Sequence, residues 1–519
     1  MKPKIPNQKK AYNALNGRLV NYVAQVQSIY DRIANQVATA IDGVGYDGSA
    51  EFLFSDYPEL KQTINGIVTG YTAQMNNLIY AGTTKEWKES NIMQDLLARK
   101  VLRAYDFEKG GDKYNRYFQQ NTDALKAFQN RVDNGMNLSQ RLWNQSQELK
   151  KELEHTISTA IERGQSAVVL SKRISKYLTD YPLLKSDYAE KYGKAVSCHN
   201  CQYASIRLAR TEINMAYRKA EQLRWQQFDF VLGYEVKLSK RHPAPDICDD
   251  LLGIYPKDFV FLGWHPNCMC YVVPIVMSDE EYYNNRQSSN NYMPLPSGLG
   301  SWIDKNCLRI LTASRNGTLQ YWLRDNKNVR DCATLIGKSR EVGNEFKTIG
   351  ESIAKKVGGI VTPVNYKSFS SMYRKLVTEN INISDIKDAV RSTIIVDKDK
   401  IDEVVMNLKQ LDNFIRHKEQ KPEAFMGYSC NIINLSMSNN TVAEIQVNTA
   451  KMIYAKETEA NAKRILGEEL WNKIRTETNM QGGLGHRYYE EIRLLNEVTE
   501  RQKIKRLKSL SKEYYSHFM

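Results

Sequence analysis

Along this chain the apolar positions first recur every three or four residues and later every second residue, and the change of period divides the sequence. Residues 136–153 mix charged and apolar positions at helical spacing, and no proline interrupts the chain between Pro58 and Pro182. Residues 8 to 230 are therefore expected to be mostly helix. Seven of the thirteen prolines then fall between Pro243 and Pro296, where short strands and tight loops are expected, closing in Ser288-Ser289-Asn290-Asn291 and Pro294-Leu295-Pro296-Ser297-Gly298. Beyond residue 300, helical stretches alternate with β-branched runs at 381–396, 430–437 and 441–447. The expected organisation is multidomain: a mainly α domain over 1–235, a small Cys/His-rich β knuckle completing it over 236–280, a linker over 281–300, and an α+β domain with a mixed sheet over 301–519.

The last β-branched run carries the most chemistry. Its period of two sends Ala443, Ile445 and Val447 to one face and Glu444, Gln446 and Asn448 to the other, and that polar face wants water or a ligand. Asp388 stands in an acidic turn that leads into the preceding strand. Lys367, Arg374 and Lys375 cluster around a helix start, and a Gly427-Tyr428 turn lies between the two carboxylates in sequence. Phosphoryl or diphosphoryl transfer needs cations on the phosphates, magnesium held by carboxylates, and a base near the attacking hydroxyl. Taken singly, each residue has a plainer reading: Asp388 as a turn residue, Arg374 and Lys375 as a solvated helix face, His486 after its glycines as a cap. The ordered combination is what points to transfer chemistry.

At 519 residues the chain exceeds one ordinary core, and 42% hydrophobic with 25% charged residues excludes a disordered or collagen-like protein. A net charge of +14 favours a polyanionic partner such as nucleic acid or nucleotide. The basic first ten residues have no apolar stretch behind them and do not read as a secretory signal, and no apolar run reaches membrane-spanning length, so no membrane segment is expected. Eight cysteines are too few for a disulfide scaffold, yet five lie between Cys198 and Cys270. Cys248, His265, Cys268 and Cys270 could supply the four ligands of a structural zinc, with His242, Cys198, His199 and Cys201 as competing ligands and plain reduced thiols as the alternative. Arg210 and Glu212, two apart on a helix, point to different faces and read as inter-helix pairing; Trp264 reads as core.

The segment Ala209-Arg210-Thr211-Glu212, with Ala216, Trp225, Cys248 and His265-Pro266-Asn267-Cys268-Met269-Cys270, resembles the phage Mu F-like minor head protein family over roughly residues 10 to 280. Met269 stands where that family usually has arginine. The resemblance implies a protein of the virion interior whose partners are portal and other capsid proteins and packaged DNA, and which can pass with the DNA into the host bacterial cytoplasm.

The C-terminal series Lys367-Ser368, Tyr373-Arg374-Lys375, Asp388, Gly427-Tyr428 and Glu444-Ile445-Gln446 with Thr449 resembles the RelA/SpoT family of nucleotide pyrophosphokinases, especially its toxin-like members, over roughly residues 340 to 495. By that resemblance Lys367, Arg374 and Lys375 contact phosphates, Asp388 and Glu444 hold Mg2+, and Glu444 deprotonates the acceptor 3′-hydroxyl. Tyr428 stacks on the acceptor base, and Arg391, Gln446, Asn448 and His486 are further substrate contacts. Asn365 replaces an adenine-stacking arginine, Asn448 replaces the arginine of Glu-Ile-Gln-x-Arg-Thr, and Ile432 or Ile433 falls where long members place histidine. The acceptor base therefore stays open. Together the two resemblances imply a minor head protein carrying an effector that moves diphosphate from ATP to a nucleotide. The alternatives are a structural head protein with a degenerate nucleotide-binding domain, and a toxin acting on the 3′ end of transfer RNA.

Overall fold

The structure, a computed structural model, describes the chain except residues 1, 43, 46–51, 163–168, 170–173, 175–200, 240–244, 285–293, 424–425 and 496–498. Cys198, His199 and His242 lie outside the described residues, as does the middle of the stretch read as a linker. The chain divides into two compact units, Met1–Leu299 with Gln320–Asn326, and Gly300–Leu319 with Lys327–Met519.

Four long helices build the first unit: α1 (Gln8–Asp42), α2 (Pro58–Ala104), α3 (Leu138–Glu162) and α4 (Cys201–Gln227). On α1 the buried residues Leu15, Leu19, Tyr22, Val26, Ile29, Ile33 and Val37 recur three and four apart, the stripe that lets a helix bury one side. Pro58 opens α2 at the position where its missing N–H leaves no bond unmade. Helix is not continuous through the proline-free stretch, however. Two short helices, Gly111–Arg116 and Thr122–Gln129, and left-handed residues at Asp106, Gly110, Asn121 and Asn134 break it between α2 and α3.

After α4 comes a small antiparallel sheet in the order β2-β1-β3, made of β1 (Val231–Lys237), β2 (Gly253–Pro256) and β3 (Tyr271–Val276). Residues 320–326, expected in the C-terminal domain, belong to this unit for a packing reason. Trp322 sets its edge on fully buried Trp264 at 5.3 Å, and the Asn326 side chain exchanges hydrogen bonds with the Val260 backbone at 2.8 and 2.9 Å.

The second unit opens with α5 (Ser297–Arg315), which starts inside the stretch read as a linker, then α6 (Lys327–Glu341) and α7 (Gly343–Val357). Its six strands are β4 (Ile360–Val361), β5 (Asn365–Tyr366), β6 (Val390–Ile395), β7 (Phe414–Gln420), β8 (Cys430–Ser436) and β9 (Val442–Asn448). They form a mixed sheet in the order β4-β6-β9-β8-β7, with β5 also on β6; β6 and β9 run parallel and the other pairs antiparallel.

α8 (Phe369–Thr378) lies between β5 and β6, and α9 (Ile401–Lys409) follows β6. Ala443, Ile445 and Val447 pack into one core with Phe346 and Ile353 of α7 and Val404 and Leu408 of α9, as the period of two requires. A second core joins Ile395, Tyr428 and Cys430 to α10 (Ala450–Lys456), α11 (Glu459–Leu466), α12 (Glu468–Thr478), α13 (Leu484–Leu494) and α14 (Arg501–Ser516). Strand β7 was not expected. Its run Arg416-His417-Lys418-Glu419 is charged because it is a sheet edge, where charges discourage pairing with other chains. Residues 381–389 form turns rather than strand, including the short helix Ile383–Asp385. Among the described residues no helix is long and apolar enough to cross a membrane.

Candidate active site

Local chemistry places the cations first. The Ser368 side chain caps α8 by accepting from the Ser371 N–H, and Asp304 Oδ1 accepts from the Phe369 N–H at 3.0 Å. Lys367 sits just before this cap, and its own N–H donates to the Ala389 carbonyl at 2.9 Å, tying it to the entrance of β6. From there Lys367 Nζ reaches Asp388 Oδ2 at 2.6 Å, and Lys375 Nζ, from inside α8, reaches it at 3.1 Å. Burial works against the Asp388 charge, but the two ammonium groups outweigh it and hold its pKa below the ordinary value. Lys375 is correspondingly raised, its pair with Asp388 overcoming burial; for Lys367 burial wins and the pKa falls.

Parallel pairing of β6 and β9 sets Arg391 opposite Glu444, so Asp388 and Glu444 stand at the same end of adjacent strands. Glu444 is 8% exposed, and Gln446 Nε2 donates to its Oε1 at 2.8 Å. Its pKa is raised, by burial above all and by the Asp388 charge, against the hydrogen bond from Gln446 and the cations Arg391 and Lys456. One carboxylate held low and one held high is the division of labour expected of a metal ligand beside a proton acceptor.

A cavity of about 780 Å³ takes in every expected site residue of this unit except Asn448. Asn448 is buried, donating to the Tyr428 hydroxyl at 3.1 Å and to the Ser429 carbonyl at 2.9 Å, which makes it a clip for the Gly427-Tyr428 turn rather than a wall of the cavity. Arg374 reaches the cavity but pairs with Glu379 at 2.9 Å.

Tyr428 lines the same cavity and is closely packed. The ring assigned to a base is only 6% exposed: Lys456 Nζ lies 5.1 Å from its centroid and Tyr515 of α14 sets its ring against it at 5.6 Å and 61°. Gly427, with φ of 92°, is required here, since a Cβ would come within 2.8 Å of Lys512 Cα on α14. The more open ring on the cavity wall is His486, 51% exposed and stacked with Tyr489 at 6.3 Å and 28°. A second cavity, of about 430 Å³, brings in Arg340, Asn461 and Arg464, for which no expectation had been formed. They come from α6 and α11, outside the motif strands, and only helical spacing relative to an unknown neighbour could have flagged them.

In the first unit, the thiols of Cys248, Cys268 and Cys270 lie within 4.8 Å of one another. Cys248 Sγ is 3.8 Å from Cys268 Sγ and 3.1 Å from His265 Nε2, and the other ring nitrogen of His265 is 2.7 Å from the Pro266 carbonyl. Tetrahedral zinc with bonds of about 2.3 Å spaces two sulfurs by about 3.8 Å, the separation of the Cys248 and Cys268 thiols. Asp246 Oδ2, 3.2 Å from His265 Nε2, is a further oxygen at the same place. Cys201 is instead in the helical core. Glu212 accepts from Arg131 and Arg141, each at 2.9 Å, the inter-helix pairing its position suggested.

No family model matches the chain. Over 163 residues it is 31% identical to the (p)ppApp synthetase toxin Tas1 of Pseudomonas aeruginosa (strain UCBPP-PA14). That match covers 31% of this chain and 37% of the relative, so the chain spans little more than a third of that protein's length. Among solved structures, the complex between the Type VI effector Tas1 and its immunity protein is similar at 29% identity and a TM-score of 0.32, covering 36% of this chain and 94% of the Tas1 chain compared. The sequence similarity supports the pyrophosphokinase reading and has no bearing on the head-protein resemblance.

Proposed function

We propose that the second unit transfers the β,γ-diphosphate of ATP to the 3′-hydroxyl of an acceptor nucleotide, as a toxin-like effector, and that an adenosine nucleotide is the first acceptor to try, given the relative's name. The observation that carries this is Glu444: a buried carboxylate of raised pKa in the same cavity as Asp388 and its two lysines. Glu444 accepts the proton of the 3′-hydroxyl, whose oxygen forms a bond to the β-phosphorus while the bond from that phosphorus to the α,β-bridging oxygen breaks. AMP leaves with the bridging oxygen. Lys367, Lys375 and Arg391 neutralise phosphate charge.

Asp388 and Glu444 would hold Mg2+, which characteristically takes one or two carboxylates together with substrate phosphates. The Asp388 charge raises the Glu444 pKa, a repulsion that a divalent cation held by both relieves. When bound, the ion supplies charge neutralisation at the phosphates. Incubation with γ-labelled ATP and adenosine or guanosine nucleotides, beside a Glu444→Gln control, tests the reading. Labelled nucleotide from the wild type alone supports it, labelled transfer RNA moves the acceptor to that alternative, and no product with any acceptor leaves a degenerate nucleotide binder.

For the first unit we propose structural Zn2+ on Cys248, His265, Cys268 and Cys270, tested by metal content of the purified chain against Cys268→Ser. The minor head role, with portal, capsid proteins and packaged DNA as partners and a place in the virion, rests on the residues quoted between Ala209 and Cys270 alone. Its test is whether the chain purifies with phage particles.

A further inference from the structure

Two nucleotides must occupy the second unit at once if it moves diphosphate between them, and the unit has two neighbouring cavities, of about 780 and about 430 Å³. The group in flight is bonded to a donor in one and an acceptor in the other, so it passes where the cavities meet. Six residues line both: Asn365, Tyr366, Arg391, Gln446, Lys456 and Glu457. Only two of these are cations. Arg391 was already expected among the substrate contacts; Lys456 had no assigned role.

Lys456 ends α10, twelve positions after Glu444 in the chain, with its ammonium over the Tyr428 ring and 3.8 Å from Glu457 Oε1. Burial lowers its pKa, with the Arg391 charge adding to that effect, while Glu457, Cys430 and Glu444 oppose it. The Lys456 side chain keeps 25% of its surface exposed and has its Glu457 contact at 3.8 Å, so the ammonium stands where the two cavities meet and is free to turn toward a diphosphate.

Resting on the reading above, we infer that Lys456 is the catalytic cation that clamps the diphosphate during transfer, bound equally to donor and acceptor halves of the transition state. Charge on the β-phosphoryl oxygens shifts as the bond to the bridging oxygen breaks and the bond to the 3′-oxygen forms, and a cation at that point lowers the barrier to the extent that it holds the transition state more tightly than either ground-state complex. No other reactant is needed: the proton goes to Glu444 and the electron pair leaves with AMP.

The experiment compares K456M and K456R with the wild type in full-length protein, measuring kcat and both KM values with ATP and whichever acceptor the wild type uses. The expected result is a kcat for K456M lower by about 100-fold or more, both KM values within about threefold of wild type, and K456R restoring most of the loss. A K456M kcat near wild type overturns the inference, as does a rise in one KM alone with kcat intact, which would assign Lys456 to a single subsite. Should K456M fail to fold, K456Q takes its place: a kcat lost in K456Q and largely restored in K456R at similar KM values supports the inference, and a K456Q kcat near wild type overturns it. A wild type silent with every acceptor removes the proposed function and this inference together; an active wild type with an indifferent K456M removes this inference only.

Discussion

The two units place several of their charged groups differently. In the first, Arg18 meets Glu86 through paired hydrogen bonds of 2.8 and 2.7 Å, Arg131 and Arg141 share Glu212, and Arg224 donates to Asn91, Asp95 and the Tyr117 carbonyl. Each of these charges meets partners from another segment of the chain, which ties the helices and loops of the unit together. In the second, Lys367, Lys375, Asp388, Glu444 and Lys456 line one cavity, where the Asp388 pairs with Lys367 and Lys375 face space that a ligand can enter. Charges paired between segments hold the fold; charges on a cavity wall are also available to a ligand.

That contrast can be broken most severely at Glu444. Glu444→Gln should lower turnover by about 1,000-fold or more, measured as labelled product, while circular dichroism shows an unchanged fold. The opposite pattern is expected at Glu212. Glu212→Ala strands two arginines in the first unit and should cost about 3 kcal/mol of stability by denaturant unfolding, with turnover in the second unit untouched. Equal losses of activity in both variants would dissolve the distinction.

Smaller effects sharpen it through pH. Asp388 has a folded pKa below its unfolded value, so its pairs with Lys367 and Lys375 contribute stability above the unfolded pKa that is lost as pH falls through the folded one. Asp388→Asn should therefore lower the melting temperature at neutral pH, by about 1 kcal/mol in stability, and the difference should vanish in strong acid. Glu444 has the reverse sign. Its folded pKa is raised, so the folded state holds a proton the unfolded chain has released, and stability falls as pH rises through that window. Glu444→Gln should remove this penalty and raise stability at neutral pH, without added Mg2+, by less than about 1 kcal/mol. A drop in melting temperature for Glu444→Gln would show that this carboxylate serves the fold.

Much of this site was legible because its signals are local. A strand period of two placed Glu444 and Gln446 together and away from Ala443 and Ile445, and Ser368 before an apolar helix marked the start of α8. Residues 265–270 lie close along the chain, and the fold brings Cys248 to the Cys268 and Cys270 thiols. Short-range rules tie residue type to backbone geometry within a turn or a strand, and they hold whatever packs outside.

What the tertiary structure alone decided concerns partners far along the chain. The residues by themselves could nominate Tyr428 as a base platform, and the fold adds that its ring on the cavity wall also meets Tyr515 of α14; they could count Arg374 among the phosphate cations, and the fold adds its pair with Glu379. Residues 320–326 read as part of the second domain until Trp322 found Trp264. No role could be read for Lys456 from the residues around it, since what distinguishes it is that it borders two cavities with walls from α6, α8 and β6. Exposure, charge pairing and cavity walls are properties of contacts between distant segments, so the sequence determined the site's components and the fold determined which of them face the reaction.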